Sequence, residues 1–227
     1  MQIDAAEVYS SNVQPSPDAS VRILVWDIPT RIFHWTLVAS FVTAYLTGES
    51  ERWQLWHVTA GYVFGTLLLF RLVWGVIGSR YARFIDFIRA PKAVAVYLGS
   101  LLTRHPQHYV GHNPAGGWAI LSMMGLGGFA VLTGWAAFND YGDWIGELHE
   151  GIVNLLLLII TVHVGGVAVA SILHRENLVR SMINGYKKGR ASEAIRYPQL
   201  IVGLLLMVGL CAFLWGLLSS RLPFLLP

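Results

Sequence analysis

The chain has 227 residues, of which 55% are hydrophobic and only 13% charged, with a net charge of +3. A soluble domain carries about 25% charged residues, so this balance excludes a soluble globular protein and points to an integral membrane one. The single Cys211 excludes a disulfide framework or a thiolate metal cluster, and no nucleic-acid partner is expected.

In chain order, residues 1–25 read as a polar tail that lacks the apolar stretch of a cleavable signal peptide. Five apolar runs follow, at 32–48, 55–77, 117–138, 148–172 and 198–220, each long enough to be read as a membrane-spanning helix. The first is the shortest. Between the second and third, Phe84, Phe87 and Ile88 alternate with Arg80, Arg83 and Arg89. Pro91 then restarts a run with Val94, Val96, Leu98 and Leu101. This pattern predicts one or two short helices on the membrane surface, covering the underside of a bundle. Tyr197-Pro198 breaks the chain before the fifth run, which has neither histidine nor charge and reads as an accessory helix. Three parts result: a tail (1–25), a four-helix domain (26–190), and a linker with the accessory helix (191–227).

Loop charges set the expected orientation. The 79–104 connection carries Arg80, Arg83, Arg89, Lys92 and Arg104 against Asp86, and 174–196 carries six bases against two acids. The 48–54 and 139–150 connections carry Glu49, Glu51, Asp140, Asp143, Glu147 and Glu150 against Arg52 alone. The excess of Lys and Arg places the N-terminus and both basic loops in the cytoplasm, and the acidic loops and C-terminus outside.

Four of the eight histidines fall in apolar runs: His34, His57, His149 and His163. His149 and His163 are fourteen residues apart in one uninterrupted apolar run, almost four helical turns, so they leave one face roughly 21 Å apart in depth. Tracing the runs through the membrane puts His57 and His149 at an outer level and His34 and His163 at an inner one. A hydrocarbon core penalises isolated imidazoles. Two pairs at matched depths are what two six-coordinate haems need, each iron gripped from both sides and closed to oxygen. Gly61 and Gly65, at i+4 and i+8 from His57, clear space for a macrocycle on the same face. Arg71, level with the inner pair, calls for an anionic partner such as a haem propionate. Arg31 is a second propionate or quinone candidate, and His174 a candidate for proton exchange with a quinone. The string His105, His108, His112 is interrupted by Pro106 and Pro114 and reads as a solvated loop.

The stretches DIPTRIFHW around His34, LWHVTAGYVFGTLLLFRLVWGVIGSRY around His57, GHNPAGGWAI, LHEGIVNLLLLIITVHVGG and HRENLVRSMINGYKKG together resemble the bacterial cytochrome b561 family, and within it the membrane cytochrome b subunit of nickel–iron hydrogenases. The resemblance covers residues 22–190. It implies an all-α integral membrane protein, a four-helix haem-binding bundle to which this chain adds a fifth transmembrane helix. It also implies two haem b, with His34, His57, His149 and His163 as axial ligands, and a quinone site. The expected function is electron transfer across the bacterial inner membrane between the quinone pool and a periplasmic redox protein, a c-type cytochrome or a hydrogenase small subunit, with membrane lipid around it. Whether the chain is an electron-transfer subunit or a quinone oxidoreductase in its own right is open. A stand-alone superoxide:quinone oxidoreductase and a proton channel with a histidine relay are the alternatives. The acidic outer loops disfavour the first and the LLLLII run between His149 and His163 disfavours the second.

Overall fold

The computed structural model describes residues 20–103 and 107–219. Residues 1–19 of the predicted tail, His105 and the C-terminal tip from 220 lie outside them. All five predicted runs are helices, named here α1 (Ile28–Thr47), α2 (Gln54–Ile77), α5 (Pro114–Phe138), α6 (Asp143–Leu173) and α8 (Leu200–Leu218). Where one or two short helices are expected, the structure has two, α3 (Phe84–Phe87) and α4 (Pro91–Ser100), and α7 (Leu178–Asn184) follows α6. Among the described residues, four helices are long and apolar enough to cross a membrane: Glu51–Ile77, Pro114–Phe138, Asp143–Leu173 and Leu200–Leu218. Helix α1 is not among them, because Thr30, Arg31, His34, Thr36, Ser40, Thr43 and Thr47 dilute its apolar face.

Helix starts follow local chemistry. Asp27 caps α1, its carboxylate accepting the Thr30 N–H at 2.7 Å, with Pro29 in the first turn where a missing N–H costs nothing. Asn113 does the same for α5 through Gly116 N–H at 2.7 Å, again with a proline next in sequence. The fold adds an element that the sequence reading leaves out. Val21–Leu24 (β1) pairs antiparallel with Tyr186–Gly189 (β2), Val21 opposite Gly189 and Leu24 opposite Tyr186. The residues just before α1 therefore do not trail away; they clip onto the segment after α7. Gly185 makes the joint: its φ of +88° ends α7, and its carbonyl accepts from Val25 (2.9 Å) and Trp26 (3.0 Å). A Cβ there would lie 2.7 Å from the Trp26 carbonyl oxygen.

Helices α1 and α2 form one antiparallel hairpin and α5 and α6 another, joined mainly through α2 against α5. Helix α8 packs on α1 and α2, burying Leu210 against Phe33, Val63 and Leu67. A second apolar cluster, Phe64, Leu68 and Leu156 with Phe41, Met123 and Ile160 around it, fills the bundle between the hairpins. On α2 and α6 its buried members fall between the two histidine levels, so a dry layer separates the pairs. At the basic end, Ile23, Val25 and Trp26 make a third cluster under the strand pair.

Candidate functional site

The outer histidines meet. His57 enters in the first turn of α2 and His149 in the second turn of α6, and their ring centres lie 6.1 Å apart with planes at 89°. Two imidazoles bound to one metal from opposite sides, each through a bond of about 2 Å, put their ring centres roughly 6 Å apart. Both rings line a half-open cleft walled by Phe41, Tyr45, Tyr62, Trp135 and other apolar side chains. That apolar lining suits a flat apolar cofactor.

Hydrogen bonds assign the tautomers. His57 Nδ1 lies 2.8 Å from the Ala44 carbonyl oxygen, which can only accept, so Nδ1 carries the proton. His149 Nδ1 lies 3.2 Å from the Thr133 hydroxyl. That hydroxyl already donates to the Phe129 carbonyl at 2.8 Å and so accepts from the imidazole. Both Nε2 atoms are left with a free lone pair, as metal-binding histidines oriented by a neighbour require. Sequence reading missed both orienting groups. A threonine in an apolar helix, sixteen residues before a histidine, was the one available signal, and a backbone carbonyl leaves none.

The glycines separate into two kinds. A Cβ at Gly61 would meet nothing within 4 Å, and Gly61 lines the cleft. Gly65 instead faces Val131, at 3.0 Å from an added Cβ, and serves the packing of α2 on α5. Gly134 is the tightest of those at the cleft: a Cβ would lie 2.9 Å from His149 Cε1.

The inner level is built differently. His34 on α1 and His163 on α6 are close enough to interact electrostatically, and His34 Nδ1 is buried without a hydrogen-bond partner. Arg71 does not reach for the surface. It is 4% exposed, with Nη1 unpartnered and the guanidinium lying over Phe84 (4.9 Å) and Phe87 (5.6 Å) of α3. Gly75 makes this roof possible, since a Cβ there would collide with the Phe84 ring at 2.1 Å. The nearest acid in electrostatic terms is Asp27, whose fully buried carboxylate is taken by the Thr30 amide and by Trp74 Nε1 at 3.1 Å. A buried guanidinium with spare donors fits an anionic group such as a propionate. Arg31 turns the other way, donating to the Ile183 carbonyl at the end of α7.

His112 corrects the solvated-loop reading. Its ring sits between Trp26 (4.7 Å) and Phe87 (4.8 Å), with Nδ1 buried and unpartnered. Burial, reinforced by Arg71, His163 and Lys187, pushes it down to about 3, so it is neutral at physiological pH. The cause is tertiary: the pre-α5 loop is folded under β1, which no local pattern announces. His108 and His174 gather instead at the basic surface, ring centres 5.1 Å apart, with Glu176 3.5 Å from His108 and 3.2 Å from Lys187. Burial alone would raise Glu176; the His108 hydrogen bond and the Lys187 ammonium outweigh it and hold the carboxyl at about 2.

Around the mouth of the cleft, Glu49, Glu51, Asp140, Asp143, Glu147 and Glu150 are all exposed. Comparison with known proteins accords with this architecture. Residues 25–185 match the family model described as prokaryotic cytochrome b561. The probable Ni/Fe-hydrogenase 1 B-type cytochrome subunit of Escherichia coli (strain K12) is 25% identical, over 77% of this chain and 94% of its own length. The probable Ni/Fe-hydrogenase B-type cytochrome subunit of Azotobacter chroococcum mcd 1 is 24% identical, over 73% and 88%. That of Rhizobium leguminosarum bv. viciae is 25% identical, over 72% and 87%. No solved structure matches.

Proposed function

Because the chain belongs to the prokaryotic cytochrome b561 family, we propose that it is a di-haem b-type cytochrome of the bacterial inner membrane, passing electrons between the quinone pool and a periplasmic redox protein. Family membership makes it a multi-pass bacterial membrane protein with haem b as its cofactor. The observation that carries the finer reading is the His57–His149 pair, 6.1 Å apart and each fixed with Nε2 free. Haem, when bound, supplies one-electron transfer. The rest is done by the chain. His57 and His149 hold an outer iron and His34 and His163 an inner one. Arg71 offers its unpartnered Nη1 to a propionate, while Arg31 gives Nη2 to the Ile183 carbonyl and keeps a buried Nε unpartnered. The layer of Phe64, Leu68 and Leu156 keeps water from running between the levels. That same dry layer argues against a proton relay along the histidines.

The quinone is assigned to the basic, cytoplasmic end, where His174 and His108 sit beside Glu176 with access to protons. At the opposite end the acidic rim attracts a basic partner and repels an anion such as superoxide. The relatives' names point to a hydrogenase as that partner, and a small basic c-type cytochrome meets the same charge requirement. The deciding experiment is a reduced-minus-oxidised optical spectrum of the detergent-purified protein with haem quantified per chain. Two haem b per chain are expected; a folded, colourless preparation excludes the reading.

A further inference from the structure

A second cavity lies at the basic end, apart from both histidine pairs. It is open to solvent, and its lining includes Arg80, Arg89, Lys188 and Arg190 with Asp86 and Glu193, and reaches His108 and His112 on its far wall. Both acids are spoken for: Asp86 pairs with Arg83 at 2.7 Å, and Glu193 with Arg190 at 3.2 Å. Among the described residues, Arg80, Arg89 and Lys188 have no carboxylate within 4.0 Å. Arg80 lies over the Tyr81 ring at 5.5 Å, and Arg89 donates to the Asp86 carbonyl at 3.2 Å. Arg80 and Arg89 from the loop after α2 and Lys188 from β2 thus border one cavity with no direct ion pair to a carboxylate, Glu193 facing Arg80 only at longer range, and their donors are open to an anion shared between them.

The surroundings select the anion. The cavity opens where α2 ends, and the same stretch exposes Ile77 (70%) and Ile85 (84%), apolar side chains suited to acyl chains. We propose that this cavity binds the phosphodiester headgroup of an anionic phospholipid of the cytoplasmic leaflet, clamped by Arg80, Arg89 and Lys188. Arginine forks match phosphate oxygens geometrically, and a basic pocket at this level of a membrane protein sees anionic lipid continuously. The lipid fastens the strand pair, α3 and the pre-α5 loop, which all contribute lining residues or adjoin them, against the membrane.

The test is native mass spectrometry of the detergent-purified chain titrated with phosphatidylglycerol, phosphatidylcholine or inorganic phosphate. Phosphatidylglycerol is expected to saturate at one tight site. The triple variant Arg80→Gln/Arg89→Gln/Lys188→Gln should weaken it about 100-fold. The control Lys92→Gln/Arg180→Gln/Arg196→Gln removes equal charge outside the cavity and should weaken it less than about 3-fold. Circular dichroism of both variants confirms that they are folded. Equal losses in the two triples, equal binding of phosphatidylcholine, or full competition by inorganic phosphate at matched concentration each overturn the assignment.

Discussion

His57 Nδ1–H donates a hydrogen bond to the carbonyl of Ala44 at 2.8 Å, thirteen residues back across the α1–α2 turn. An imidazole on one helix is thereby aimed by the backbone of its neighbour. His149 is aimed by Thr133 on the facing α5, so each outer imidazole depends on the hairpin it belongs to. The cleft between them depends on how the two hairpins dock.

Pairing is the first expectation to check. His57→Ala and His149→Ala should each lose the same haem, and His34→Ala and His163→Ala the other, with haem content per chain falling from two to one. Redox titration of the remaining haem distinguishes the pairs. Loss of one common haem in His34→Ala and His57→Ala contradicts the assignment.

Thr133→Val removes the hydroxyl acceptor facing the His149 imidazole, leaves the Ala130 backbone carbonyl in place and keeps the shape. Outer-haem affinity should fall on the order of 10–100-fold, the usual cost of removing an orienting partner. Thr133→Ser should restore it. Competition with apomyoglobin reads the affinity, and an unchanged value in Thr133→Val would falsify the role of Thr133 in orienting His149.

Gly134 and Gly61 should behave oppositely towards alanine. The Gly134→Ala methyl falls 2.9 Å from His149 Cε1 and must displace the ring, so outer-haem occupancy drops. Gly61→Ala finds open space and retains haem, whereas Gly61→Leu fills the cleft and loses it. Haem-to-protein ratios of the three purified variants decide this.

Arg71→Gln takes a buried positive charge away from the inner level. Reduction there becomes harder, and the inner midpoint should fall by roughly 60 mV, a tenfold change for a one-electron couple. An unchanged midpoint would mean that Arg71 serves only the α3 roof.

The neutral His112 predicts acid lability. Its folded value of about 3 lies below the unfolded 6.5. The unfolded chain therefore binds the extra proton between those values, and stability complete above pH 6.5 declines as pH falls towards 3. The slope approaches about 1 kcal/mol per pH unit. His112→Asn lacks this penalty, so its melting temperature should gain on wild type between pH 6.5 and 4.5. A constant difference would show the imidazole to be hydrated.

Sequence by itself determined the five helices and their order, since both follow from hydropathy and the 3.6-residue repeat. It also determined the basic and acidic ends, because charges remain at water whatever the packing. Tertiary structure alone decided what touches what. Gly61 opens into the cleft whereas Gly65, one turn on, packs against Val131; Arg31 turns to α7 whereas Arg71 stays unpaired beneath Phe84 and Phe87; His112 is enclosed by Trp26 and Phe87, far apart from each other in sequence. Periodicity specifies the face of a single helix, whereas an imidazole's tautomer or a guanidinium's partner is set by atoms that other segments deliver.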